Sequence, residues 1–228
     1  MMKRIIVAVD GFSSCGKSTI AKALAQYAGY TYIDTGAMYR ALALYCMRCG
    51  IMDETHIDEQ RLKQSIPSVK ITFRKTDSGQ SVCLNGEDVE KQIRTLEVGN
   101  GASRVSTIAF VRQFLVQQQQ AMGEQKGIVM DGRDIGTVVF PSAELKLFLT
   151  ASPEVRAQRR FLELKDKGMN PNYQEVLRDV NDRDYRDTHR KESPLRQADD
   201  AVVVDNGNMT KEEQFAYICR LFDERVKS

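Results

Sequence analysis

At 228 residues the chain has room for one compact domain, with or without insertions, and buries enough surface to need no covalent staple. Its 42% apolar and 28% charged residues are ordinary for a globular protein, and a net charge of +2 gives no bulk argument for a nucleic-acid or membrane partner. Five cysteines form no disulfide framework and fit a reducing compartment; without a signal-peptide pattern or the ~18 apolar residues of a membrane helix, a cytoplasmic location is expected.

Ile5 to Val9 is a continuous apolar run, which reads as a strand buried in a parallel sheet. The stretch Gly11-Phe12-Ser13-Ser14-Cys15-Gly16-Lys17-Ser18-Thr19 follows, and residues 17–28 then place Ile20, Leu24 and Tyr27 at helical spacing, with Gly29 as C-cap. Two glycines flanking four residues, then lysine and serine, between a strand and a helix, make the phosphate-binding P-loop in the context that motif requires. Backbone N–H groups and the helix N-terminus converge on an anion there. Lys17 supplies a cation for the β- and γ-phosphates of ATP, and the Ser18 hydroxyl is a candidate Mg²⁺ ligand.

A second strand is expected over Tyr30–Asp34 and a helix from about Ala37 to Cys49, stopped by Gly50. Cys46-x-x-Cys49 lies inside that helix, with no second pair or nearby histidine, and reads as packing rather than a zinc site. Residues 69–73 and 80–84 are short strand patterns joined by the turn signal Thr76-Asp77-Ser78-Gly79, with a second turn signal at Asn85-Gly86. They predict a small antiparallel sheet inserted into an alternating β/α chain. Residues 97–125 are helical with a break near 106–108, and Gln117–Gln120 reads as an exposed helix face. Strands are expected at 127–131, 145–149 and 201–205, and a last helix near 210–226. Five apolar strands separated by helices predict an α/β fold with a five-stranded parallel sheet flanked by helices.

Ligands of such sheets bind outside the carboxyl ends of the strands. Arg40 follows the second strand and Arg133 the third, each framed by Gly and Asp, and guanidinium groups hold phosphate bidentately. Residues 156–191 carry ten Lys/Arg and seven Asp/Glu, with few aliphatic anchors after Leu164. They read either as a solvated helical hairpin or as a mobile lid that brings Arg159, Arg183, Arg186 and Arg190 to the phosphates. A lid would keep water from consuming the nucleotide. Asp134 alone reads as an ion-pair partner of Arg133 or a helix cap.

Taken together, GFSSCGKST, IDTGAMYRALAL, IRTLEVGNGASRVS, VMDGRDIGTVVFP and DRDYRDTHR…SPL resemble, in order and spacing, the bacterial cytidylate kinases of the nucleoside-monophosphate kinase group. The resemblance covers nearly the whole chain. It implies one P-loop kinase domain over 1–228: core 1–36, a monophosphate-binding region 37–126 with an antiparallel insert at about 63–95, core 127–155, a helical lid at about 156–191, and core 192–228. It implies ATP-dependent phosphorylation of CMP and dCMP by a monomer, with Lys17, Arg133, Arg183 and Arg186 as catalytic groups. Thr35, Arg40 and Arg133 would hold the acceptor's phosphate side. Ser103, Arg112 and Asp134 would meet the cytosine, while Asp187 and Arg190 reach the acceptor from the lid. Phe12 and Cys15 depart from the family's usual loop, where proline and a small residue are common. The alternatives are a P-loop kinase of another small acceptor (UMP, AMP, shikimate or gluconate) and a module that binds ATP without consuming it. The absence of Asn-Lys-x-Asp argues against a GTPase.

Overall fold

The computed structural model describes residues 3–76 and 79–227, so Asp77 and Ser78 of the first turn signal lie outside the described residues. The chain divides into two compact units, residues up to Ile33 with those from Met122 onward, and Asp34–Ala121. In chain order the main elements are β1 (Ile6–Gly11), α1 (Lys17–Ala28), β2 (Thr31–Asp34), α2 (Thr35–Arg48), α3 (Glu59–Ser65), β3 (Ile71–Thr76), β4 (Gly79–Leu84) and β5 (Glu87–Asp88). They continue with α4 (Leu96–Val105), α5 (Ala109–Met122), β6 (Ile128–Asp131), a π-helical turn Ile135–Val139, β7 (Leu145–Thr150), α6 (Pro153–Asp166), α7 (Tyr173–His189), β8 (Val202–Asp205) and α8 (Lys211–Lys227).

The larger unit is built on a five-stranded sheet in the order β2-β6-β1-β7-β8, flanked by helices. β1 lies parallel to both neighbours, with Val7 opposite Val129 on one side and Leu145 on the other. Alternate side chains of a strand share a face, so Ile5, Val7 and Val9 join Leu145, Leu147 and Leu149 in one apolar layer. Ile20 and Leu24 of α1 and Ile218 and Phe222 of α8 close that layer. Burying one such side chain contributes about 1.5–3 kcal/mol.

Parallel register also brings the strands' carboxyl ends to one edge. Val9 pairs with Asp131, Gly11 with Leu149, and Thr150 with Asp205. The phosphate loop, the segment after Asp131 and Asn206 therefore leave the sheet together. Gly11 has φ 142°, and a Cβ there would stand 2.0 Å from the Leu149 carbonyl oxygen, so glycine alone lets the loop start this close to β7.

α6 and α7 form a helical hairpin, capped at Ser152 and Asn172. Its own small core holds Ala157, Val176 and Val180, with Phe161, Leu164, Tyr173 and Leu177 packed around them. Aliphatic anchors thus continue past Leu164, contrary to the sequence reading, because Val176 and Val180 recur at helical spacing inside a charged stretch.

In the smaller unit, β3, β4 and β5 form an antiparallel sheet, with Ile71 opposite Leu84. Asn85 and Gly86 turn between β4 and β5 at φ 49° and 88°, the left-handed pair of a tight hairpin. α4 crosses α2 at Gly101, where a Cβ would stand 2.6 Å from the Met47 methyl. The helical region breaks between α4 and α5, as expected near 106–108. Gln119 corrects the exposed-glutamine reading: it is 2% exposed on the inner face of α5.

Candidate active site

Within the larger unit the phosphate loop runs from the end of β1 into α1. Ser14 and Gly16 both take positive φ, which turns the loop back on itself before the helix begins at Lys17. The loop is braced from outside: Asn206 Nδ2 donates to the Cys15 carbonyl at 2.7 Å, and Arg159 holds Asn206 through both its carboxamide oxygen and its carbonyl. Arg159 therefore serves here as support behind the loop. Cys15 is buried, its thiol donating to the Phe12 carbonyl at 2.9 Å. Ser13 is buried, while Phe12 and Ser14 are partly exposed and Gly16, Ser18 and Thr19 are open to solvent.

Lys17 is only 6% exposed, and its ammonium donates to the Phe12 carbonyl at 2.5 Å. Burial is the main reason its pKa falls to about 8, and the nearby cations Arg133 and Arg183 push the same way against Cys15 and Asp131. Ser18 Oγ donates to Asp131 Oδ2 at 2.8 Å, and Tyr32 OH donates to Asp131 Oδ1 at 2.8 Å. The sequence alone assigns no role to Asp131 or Tyr32. One hydroxyl and one buried carboxylate suit a hard cation held chiefly by phosphate and water oxygens.

The segment after β6 brings four of the expected residues into two crossed ion pairs. Arg133 Nε donates to Asp187 Oδ2 at 2.8 Å, while Arg190 Nη2 lies 3.8 Å from Asp134 Oδ1. Asp134 thus has Arg190 as an ion-pair partner, and it makes no side-chain cap to the turn it precedes. Burial disfavours the charge on Asp187, yet Arg133, Arg183 and Arg190 together hold its carboxyl below the ordinary value of 3.8. Behind this segment, Asp10 accepts from the Ile135 and Gly136 amides at 2.8 and 2.7 Å. Burial raises Asp10 to about 7 despite those two bonds. Arg183 sits half-buried on α7 in the field of Lys17 and Asp187, whereas Arg186 is exposed one turn along. His56 and His189 are both exposed.

The smaller unit holds the remaining expected residues. Asp34 caps α2 by accepting from Ala37 N at 2.9 Å. Burial opposes its charge, but Arg40 and Arg94 draw its carboxyl below the ordinary range. A Cβ at residue 36 would lie 3.1 Å from Asp34 Oδ1 and 3.4 Å from Arg40 Nη1, so Gly36 keeps that corner open. Thr35 is buried as the first residue of α2. Ser103 and Arg112 meet through Ser106, whose hydroxyl donates to the Ser103 carbonyl at 2.8 Å and whose carbonyl accepts from Arg112 at 3.2 Å. Arg112 is 3% exposed and lies over the Tyr39 ring.

Comparison with known proteins spans nearly the whole chain. Residues 7–224 match the family model described as cytidylate kinase. A cytidylate kinase of Parabacteroides distasonis is 57% identical over the full length of both chains. One from Bacteroides thetaiotaomicron is 54% identical over 99% of this chain and all of its own. Among solved structures, an uncharacterized protein from Eubacterium ventriosum superposes with a TM-score of 0.55 at 11% identity, over 97% of this chain and 99% of that one. That last likeness concerns the fold alone.

Proposed function

The chain belongs to the cytidylate kinase family, and on that premise we propose that it transfers the γ-phosphate of ATP to CMP and dCMP, giving the diphosphates. The observation that carries this reading is the gathering of Lys17, Arg133 and Arg183 at the phosphate loop, where burial first, and the two arginines second, loosen the lysine's proton. Like charges packed in a partly buried place cost free energy until an anion enters. A polyphosphate in transfer is such an anion, and fixed cations aimed at it stabilise the charge that moves between donor and acceptor.

The attacking group is the acceptor's own phosphate, whose second pKa near ~6 leaves it largely ionised at neutral pH. A general base is therefore not needed. Lys17 binds the β- and γ-phosphates, and Arg133, Arg183 and Arg186 stabilise the phosphoryl group in flight. Ser18 and Asp131 would hold Mg²⁺, which would supply charge cancellation and orient the phosphate oxygens when bound. Following the family likeness, Thr35, Arg40 and Arg133 hold the acceptor's phosphate side, and Asp187 and Arg190 reach the acceptor from the lid. Asp134 accepts from the N4 amino group of cytosine, where uracil would present a repelling O4; Ser103 and Arg112 donate to O2 and N3. The α6–α7 hairpin acts as the lid that excludes water, and the enzyme works as a cytoplasmic monomer.

ATP consumption with Mg²⁺ against CMP, dCMP, UMP, AMP and shikimate tests the reading. Strong turnover with CMP and dCMP, and much less with UMP, is expected. Equal use of UMP would remove the role of Asp134, and silence with every acceptor would reduce the loop to a binding loop.

A further inference from the structure

Arg156 is the largest of the most deeply buried side chains, 2% exposed, and none of the roles above uses it. Its guanidinium touches three parts of the larger unit at once. Nε donates to the Ala151 carbonyl at the end of β7 at 2.9 Å. Nη1 reaches the Ser13 carbonyl inside the phosphate loop at 3.3 Å and Asp184 Oδ1 at 2.9 Å, while Nη2 donates to Asp184 Oδ2 at 2.5 Å. Its central carbon lies over the Phe12 ring, 5.0 Å from the ring centre, and that ring in turn meets Phe148 edge-on at 6.0 Å.

Asp184 stands on α7 directly after Arg183, one turn before Asp187. Fixing its carboxylate by a two-pronged bond fixes the height and rotation of the turn that carries Arg183 and Asp187. We propose that Arg156 is a positioning residue that locks this turn of α7 to the phosphate loop, so that Arg183 and Asp187 stand at a set place relative to Lys17. The proposal rests on the reading that α7 serves the transferring phosphate. It also accounts for Phe12, which departs from the family's usual proline: the aromatic face shields the guanidinium from water and strengthens its bonds to Asp184 and Ser13. Lysine could not replace Arg156, because a point charge cannot hold the Asp184 fork, the Ser13 carbonyl and the Phe12 ring together.

The test uses the full chain with Arg156→Lys, Asp184→Asn and the double variant, each assayed well below its own Tm so that the folded fraction is equal. Each assay measures kcat and KM for ATP and CMP, and the share of ATP lost to water. Each single variant should lower kcat at least about tenfold, within the ~10²-fold cost of a ~1 Å misplacement, and the double should be no worse than either. The share of ATP lost to water should rise several-fold, which a change in folded fraction alone would not produce. A lowered Tm with unchanged kcat and unchanged water share in Arg156→Lys and Asp184→Asn would overturn the proposal, as would losses that multiply in the double variant. Arg183→Ala, run alongside, separates the two levels. Intact transfer in that variant removes the reading of α7 itself; crippled transfer there, beside wild-type Asp184→Asn, removes only the coupling.

Discussion

Two buried cations that both donate to the phosphate loop live in opposite surroundings. Lys17 is desolvated and faces Arg133 and Arg183, and its proton is loosened until its pKa is about 8. Arg156 is desolvated just as far, yet Asp184, two carbonyls and an aromatic face surround it. Charge buried with partners builds architecture, whereas charge buried among like charges is held ready for a ligand. Stability should therefore respond in opposite ways to removing the two charges.

The largest effect is expected on turnover. Lys17→Met should cost about 10²–10³ in kcat, the scale of losing one preorganised electrostatic contact. It should leave Tm unchanged or higher, because a repelled charge has been removed; a marked fall in Tm would show that Lys17 is structural. Arg156→Ala should do the reverse in stability, lowering it by about 3–5 kcal/mol in a denaturant titration, since Asp184 is left as an uncompensated half-buried charge. A loss below about 1 kcal/mol, the scale of an exposed pair, would erase the contrast.

Acid tests the crossed pairs. The folded pKa of Asp187 lies below its unfolded value, so its contribution is present above about 3.8 and is lost as pH falls through the lower folded value. Denaturant titrations below pH 4 should show a steeper loss for the wild type than for Asp187→Asn; equal slopes would contradict the pairing with Arg133. The smallest effect belongs to Phe12→Leu, about 0.5–1 kcal/mol or more with the ring gone from the guanidinium face, read as a Tm shift of a few degrees.

Much of this arrangement is legible in the sequence, because it is local. Ile5–Val9 leads through Asp10 into GFSSCGKST, and Asn85-Gly86 names its own turn. The arginine and aspartate pairs around 133 and 187 are also visible, but as a set without a wiring diagram. Which acid meets which base is decided by contacts spanning 54 residues, as between Arg133 and Asp187. Asp131 escapes notice for the same reason: Ser18 and Tyr32 reach it across 113 and 99 residues. Arg156 is hidden differently. Its stretch is dense in charge and reads as solvated, and only the folded hairpin shows one arginine turned inward. Gln119 repeats that lesson on α5, where three neighbours of the same type suggest an exposed face.

The most direct test of the central claim, that the cations around Lys17 await phosphate, is calorimetric. ATP is titrated into the protein at pH 8 in two buffers of different ionisation enthalpy. With Lys17 half-deprotonated at its pKa of about 8, binding should draw up to about half a proton per site from the buffer. That uptake should disappear in Lys17→Met. Tight ATP binding with no proton uptake in the wild type would contradict the account.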